Sequence, residues 1–448
     1  MNKEDLSVSL VGLGYVGLCT AVTFAKRGFK TLGVEIDSEK IARIMRGRAP
    51  IHEPRLDNLL QVALRTKKLT VSDDISSVAT TDVIFVTVGT PSKTDGLINL
   101  SYVENAIRQI GEALRNRHGY RLIVLKSTVT PGTTTSTAKP ILQEASGKKI
   151  GAQLGLCANP EFLKEGSAIQ DTFHPDKLVI GAFDEKSASM LKRVYKSFYG
   201  RSLPPTIITT PETAEMIKYA SNAFLAMKVS YINTIANMAQ QVPNVDVERV
   251  AETIGLDPRI GRLFLKAGPG YGGSCFHKDL QAIIQFTQRL GYDPKLLRVV
   301  EEVNEQQAGK VVELSERLLG TVINKRVAVL GLAFKKDTDD IREAASIRVI
   351  ERLKGKGAQV VCYDPMAMPN ARKVLGVSVE FANDPRSAIS GADCCVVMTE
   401  WDEFRKLKGK DYVRYMRSPN VVDARRLYRP DDLEGSNFVA VGLGQSFG

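Results

Sequence analysis

Short runs of apolar, largely β-branched residues recur along the first 130 positions, each closed by glycine or small polar residues. Residues 7–11 (SVSLV), 31–34 (TLGV), 83–88 (VIFVTV) and 122–125 (LIVL) are too short for helices and read as strands buried on both faces. A helical pattern through Phe24 and Ala25 links the first two. That alternation predicts βαβ units on a mostly parallel sheet. It returns after residue 320, where 326–331 (RVAVLG), 360–365 (VVCYDP) and 394–398 (CCVVM) predict a second α/β unit. A long helix is expected between the two, with Thr210 as N-cap, Pro211 at its first position and no breaker until about residue 241. At 1.5 Å per residue it would span ~45 Å, enough to bridge two domains and pack on a second subunit. The expected division is a first α/β domain over residues 1–200, a helical region over 201–315 and a second α/β domain over 316–448.

The turn after the first strand changes this from an architecture into a binding site. Gly12-Leu13-Gly14-Tyr15-Val16-Gly17 lies between strand and helix, and Glu35 ends the next strand 23 residues beyond Gly12. This is the dinucleotide fingerprint in its required setting. Gly12 makes the tight turn, Gly14 admits the pyrophosphate, and Gly17 lets helix approach strand. An acid at the second strand's end bonds ribose hydroxyls and repels a 2′-phosphate, so NAD is expected in preference to NADP. Thr90 and Thr128 follow later strands at the expected crevice; each stands either as a cofactor-facing residue or as a plain turn residue.

Residues 268–279 (GPGYGGSCFHKD) put four glycines ahead of a thiol, an ammonium and a carboxylate. A thiol near a cation gains thiolate character and becomes a nucleophile. Alone, the run also admits the reading of a flexible turn with an incidental buried cysteine. Lys218 and Asn222 lie four apart and share one face of the long helix, within an apolar surrounding run.

Composition narrows the partners. The net charge is +11, with no Lys/Arg block and no zinc-finger or aromatic RNA-binding signature. The basic field is therefore assigned to a phosphate-bearing small substrate, and no nucleic acid is expected. Six cysteines without Cys-x-x-Cys spacing predict free thiols and no metal site. The start of the chain (MNKED) has no signal-peptide pattern, and no apolar run approaches the ~20 residues of a membrane helix. A cytoplasmic protein without membrane contact is expected.

Together these pieces resemble the nucleotide-sugar dehydrogenases of the UDP-glucose/GDP-mannose dehydrogenase family. The likeness runs through residues 12–17, 126–129 (KSTV), 159–166 (NPEFLKEG), 174–176 (HPD), 218–222, the cysteine run, and 334–343. It implies two Rossmann-like doubly wound α/β domains joined by a long central helix and a helical dimerisation region. It also implies a four-electron oxidation of a sugar alcohol to a carboxylate by NAD. Residues 159–168 and the form Gly-Gly-Ser-Cys-Phe resemble the UDP-glucose branch. UDP-N-acetylmannosamine or GDP-mannose is the alternative substrate, and a non-catalytic nucleotide-binding protein the alternative of another class.

By the same resemblance, Cys275 is the nucleophile, Lys218 and Asn222 hold the developing oxyanion, and Asp279 or water takes the proton. Glu161 and Thr128 position the hydrolytic water. Gly12, Gly14, Tyr15, Val16, Gly17, Glu35, Lys40, Thr90, Thr128, Glu165, Lys278 and Arg342 fall on the cofactor side. Glu161, Phe162, Leu163, Lys218, Asn222, Phe264, Lys266, Gly272, Phe334, Lys335 and Arg425 fall on the substrate side, with Arg259 contributed across a homodimer interface. The chain departs from the family in three places. His277 stands where proline is frequent, Glu35 replaces the commoner aspartate, and Thr234 replaces a frequent glutamate.

Overall fold

The computed structural model describes residues 6–445; the charged start at residues 1–5 and residues 446–448 lie outside them. The chain divides into two units, Met1–Ser221 and Asn222–Gly448, and the boundary falls inside the 29-residue helix Pro211–Ala239. That helix begins where the sequence predicts, with the Thr213 amide donating to Thr210 Oγ1 at 3.3 Å.

In the first unit, β1 (Ser7–Val11), β2 (Lys30–Val34), β3 (Leu69–Ser72), β4 (Val83–Val86), β5 (Arg121–Leu125), β6 (Leu154–Ala158), β7 (Leu178–Ala182) and β8 (Thr206–Thr209) form one sheet. Its order is β3-β2-β1-β4-β5-β6-β7-β8. Val8 of β1 pairs with Thr31 on one side and Val83 on the other, which makes the β1/β4 junction the point where strand order reverses. All joins are parallel except β6 to β7, where Cys157 faces Ala182 in antiparallel register. The strand pattern alone does not show that reversal, because an apolar run carries no direction. Both faces of the sheet are covered, one by a cluster that includes Phe24, Phe29, Phe85 and Phe198. Helix Tyr15–Lys26 is buried at every residue from Gly17 to Ala25. Its burial is all-round, so it shows no polar face.

In the second unit, helices Val247–Ile254, Phe276–Arg289 and Lys295–Leu319 precede another sheet. Its strands β9 (Arg326–Leu330), β10 (Gln359–Tyr363), β11 (Glu380–Phe381), β12 (Cys394–Val397), β13 (Asn420–Asp423) and β14 (Asn437–Ala440) are all parallel in the order β11-β10-β9-β12-β13-β14. This is the doubly wound order.

Both sheets use one device at their switch point. In the first, the Gly12 amide donates to the Val34 carbonyl at 2.8 Å and the Leu13 amide to Glu35 Oε2 at 3.0 Å. In the second, the Gly331 amide donates to the Tyr363 carbonyl at 2.8 Å and the Leu332 amide to Asp364 Oδ2 at 2.7 Å. A carboxylate at the end of the second strand thus closes the turn after the first in both. The second turn lacks the glycine spacing of a dinucleotide site, yet its backbone plan is the same.

Candidate active site

Gly12 adopts φ +93°, and a Cβ there would meet Val88 Cα at 2.9 Å, so only glycine fits the turn. The missing side chain of Gly17 admits the Gly12 carbonyl, 1.9 Å from where a Cβ would stand. A Cβ on Gly14 would instead project into open space. Gly14 caps helix Tyr15–Lys26 without a side-chain bond, and Tyr15, Val16 and the rest of its first turn bring no acid. That combination fits a pyrophosphate at a helix N-terminus. Glu35, buried, also accepts the Ile36 and Asp37 amides at 2.9 and 3.2 Å. Lys40 lies outside, 3.7 Å from Asp37. Thr90 is buried just beyond β4, and Thr128 is half-buried beyond β5. Tyr15 Oη donates to the buried Glu53 and accepts the Gly166 amide at 2.8 Å, which ties the cofactor turn to the turn carrying Glu165.

At the end of β6, Glu161 and Lys218 form a buried ion pair, Nζ to Oε1 at 3.0 Å. The other carboxylate oxygen accepts the Leu163 amide at 2.5 Å. Burial pushes the Glu161 pKa up, but Lys218, the Leu163 amide and Lys126 together hold it below the usual carboxylate range. Glu161 is therefore an anion at neutral pH. The ammonium of Lys218 lies 5.5 Å from the centre of the Phe162 ring, and Lys177 lies 4.2 Å from it. Lys126 donates to Asn159 Oδ1 at 3.2 Å. Burial, with Lys218 adding to it, lowers its pKa to about 8 against the pull of Glu161.

In the second unit Asp279, 2% exposed, accepts Asn222 Nδ2 at 2.6 Å on one oxygen and Lys278 Nζ at 2.6 Å on the other. Asn222 lies one turn beyond Lys218 on helix Pro211–Ala239. Cys275 is the N-cap of helix Phe276–Arg289 and the one exposed thiol among six free cysteines. The glycines before it serve packing. A Cβ on Gly272 would stand 2.4 Å from the Glu343 carbonyl, and one on Gly270 2.5 Å from Asn304 Oδ1. The Asn233 side chain accepts the Gly268 amide at 2.8 Å, tying the loop to the long helix. Thr234 bonds within its helix, to the Ser230 carbonyl at 2.9 Å.

The remaining substrate-side residues cluster around the second sheet. Arg425 reaches the carbonyls of Met398 and Phe334 at 2.7 and 2.8 Å, and burial lowers its pKa. Lys335 lies 5.5 Å from the Phe334 ring centre. Lys266 pairs with Glu400. Phe264 holds φ +65°, an uncommon backbone state for a bulky residue and one that concentrates at functional positions. The side chains of Arg259 and Arg342 are exposed, and each bonds an aspartate two residues back, Asp257 and Asp340.

Sequence reasoning passed over Lys126, Asn159, Tyr195, Glu53 and Glu215. Lys126 stands in the run 126–129, and a lysine directly after a buried strand was its signal. Tyr195 Oη donates to Asn159, whose amide donates to the Val179 carbonyl at 2.7 Å, so that network fixes Lys126. Glu215 accepts the amides of Gly132 and Thr134 at 2.6 and 2.9 Å, and burial pushes its pKa up to about 7. Among the described residues no group of three or more His, Cys, Asp or Glu is placed to hold a metal, and no helix is long and apolar enough to cross a membrane.

A dinucleotide turn on one sheet, joined by sequence to a basic switch point on another, defines an NAD-dependent nucleotide-sugar dehydrogenase. Family models for the NAD binding, central and UDP binding domains of the UDP-glucose/GDP-mannose dehydrogenase family match residues 6–199, 212–306 and 328–430, and the chain belongs to that family. It is 42% identical over 423 residues to the UDP-glucose 6-dehydrogenase AglM of Haloferax volcanii, covering 94% of this chain and 97% of that protein. A solved UDP-glucose dehydrogenase from Pyrobaculum islandicum is 39% identical with TM-score 0.91, covering 98% of each chain. A UDP-D-ManNAc dehydrogenase from Pyrococcus horikoshii is 28% identical with TM-score 0.87, covering 98% of this chain and 100% of that one.

Proposed function

We propose that the chain oxidises UDP-glucose to UDP-glucuronate in two steps, with Cys275 holding the intermediate. The observation that carries this reading is the accessible Cys275 thiol at the end of a loop whose glycines fit it to its neighbours. NAD, when bound, accepts hydride in both oxidations. In the first, the sugar's primary alcohol loses a proton to water or Asp279, while Lys218 and Asn222 stabilise the oxyanion. The Cys275 thiolate then adds to the aldehyde carbon, giving a thiohemiacetal that keeps the aldehyde bound. Loss of the second hydride leaves a thioester. Water positioned by Glu161 and Thr128 attacks it, the carbon–sulfur bond breaks, and thiolate and carboxylate are released. The ionised state of Glu161 supports its role toward that water.

Counting NADH formed per sugar consumed tests the reading. Two per UDP-glucose is the expected result; one would mean aldehyde release, and none from UDP-glucose alongside turnover of another sugar would end the UDP-glucose assignment. UDP-N-acetylmannosamine is the second reading, supported by the likeness to the Pyrococcus horikoshii enzyme. If no nucleotide sugar gives NADH, a non-catalytic binding protein becomes the better account.

A homodimer belongs to the proposal. Phe224, Tyr231 and Met238 recur every seven residues along the long helix and are 57%, 52% and 61% exposed, an apolar stripe that suits a second copy. Exposed Arg259 is the residue we assign across that interface. Sedimentation at micromolar concentration is expected to give twice the chain mass, and a single-chain mass would refute it. Six free cysteines fit a reducing, cytoplasmic setting.

A further inference from the structure

We propose that Glu301 is a positioning residue for Cys275, gripping the cysteine loop on both sides through Tyr271 and His277. The inference rests on the assignment of Cys275 as nucleophile. Glu301 is 3% exposed on helix Lys295–Leu319. One of its oxygens accepts Tyr271 Oη at 3.1 Å, and the other meets His277 Nδ1. Those partners stand four residues before the thiol and two after it. Asn304, one turn further along the same helix, accepts the Tyr271 amide at 2.7 Å and donates to the Tyr271 carbonyl at 3.1 Å. The Gly273 amide donates to the Arg342 carbonyl at 2.9 Å, and the Tyr271 ring meets Phe276 edge-on at 5.6 Å. The thiol is thus exposed, but the backbone that presents it is held from both flanks.

The choice of His277 follows from its place. It lies in the first turn of helix Phe276–Arg289, where amides lack intrahelical partners and proline is readily accommodated. A proline at this position would fix the backbone with its ring. Here a side-chain bond to a buried carboxylate does so. A cation in a first helical turn is unfavourable by itself, and Glu301 offsets that.

The clamp is pH-dependent. The bond to Glu301 raises the His277 pKa above its ordinary value against the effect of burial; Glu301 charge and Glu343 add to the rise, and Arg348 opposes it. Lys278 and Asp279 neighbour it on its own helix, and Tyr271 shares Glu301. A raised histidine pKa gives stabilisation that is full below about pH 6.5, the unfolded value, and is lost as pH rises through the folded value. The ion pair therefore weakens on the alkaline side.

The experiment compares the full-length wild type with Glu301→Gln, His277→Gln and His277→Pro. The chain has four histidines, so ¹³C-labelled imidazoles can be followed by NMR. One is expected to titrate above the ordinary range in the wild type and to return to it in Glu301→Gln. That variant should lower kcat with UDP-glucose about ten-fold and leave KM within about two-fold, since a displaced nucleophile costs rate more than binding. The rate of Cys275 alkylation by iodoacetamide should change with it. His277→Gln should show the same losses, and His277→Pro should recover most of kcat. Wild-type kcat in Glu301→Gln, with the imidazole still titrating where it does in the wild type, would overturn the proposal; if that variant does not fold, wild-type kcat and alkylation rate in half-buried His277→Gln would do so. Imidazole titration and alkylation read the clamp without turnover. Full acid production by Cys275→Ser would therefore sink the covalent reading and leave the clamp standing.

Discussion

Cys275→Ser is expected to reduce steady-state acid formation at least about 10³-fold while leaving the fold intact, as removing a covalent nucleophile does. The physical reason is ionisation. A thiol of ordinary pKa is a few per cent thiolate at pH 7, whereas a serine hydroxyl supplies almost no alkoxide without a dedicated base. The aldehyde from the first oxidation would then have no partner that converts it to a form able to lose a second hydride. Single-turnover mixing of enzyme, NAD and UDP-glucose should give at most about one NADH per site from the variant and about two from the wild type, because only the first oxidation precedes covalent capture. Cys275 is exposed, so the change should move stability by no more than about 0.5 kcal/mol. An unchanged melting temperature with lost acid production assigns the effect to chemistry. Sustained two-NADH turnover by the serine enzyme would remove the thioester from the mechanism.

Legibility in the sequence followed the distance over which each feature is built. Residues 12–17 and Glu35 form within one βαβ unit, so their spacing carried both the turn and its cofactor, and the structure adds that Glu35 bonds the turn's own amides. The glycines before Cys275 were legible as a place of close approach. What approaches was not, since Glu343 and Asn304 come from separate segments. Glu161 and Lys218 lie 57 positions apart, and only family resemblance linked them before the structure gave their 3.0 Å contact. Asp364 stands 33 positions after Gly331, where Glu35 stands 23 after Gly12. The longer connection hid the second copy of the same turn. Tyr15 was read toward the cofactor, but nothing local to it announces Glu53, 38 positions away.

Lys218→Met is expected to lower kcat by about 10²-fold or more, the usual cost of removing a preorganised oxyanion donor, and also to destabilise the protein. Lys218 and Glu161 are 4% and 8% exposed, and removing one partner leaves the other's charge buried at a cost of about 3–5 kcal/mol. The pH dependence should change with it. In the wild type the Glu161 pKa is depressed, so its stabilisation is present above about pH 4.3, the unfolded value, and is lost as pH falls through the folded value. Without Lys218, burial dominates and the carboxyl titrates upward, which makes the variant relatively less stable as pH rises toward neutrality. Lys126 offsets part of this, though its own charge is already disfavoured by burial. Adding Glu161→Gln to Lys218→Met removes the orphaned charge. The double variant should thus recover a large share of the lost stability and none of the activity, because contacting residues couple in stability while the donor and the water-positioning group are both gone. Urea unfolding of the wild type, Lys218→Met, Glu161→Gln and the double variant at pH 5 and pH 8, with kcat for each, decides the matter. A double variant no more stable than Lys218→Met would show that the buried pair is not the source of the loss, and a fully active Lys218→Met would remove the lysine from the chemistry.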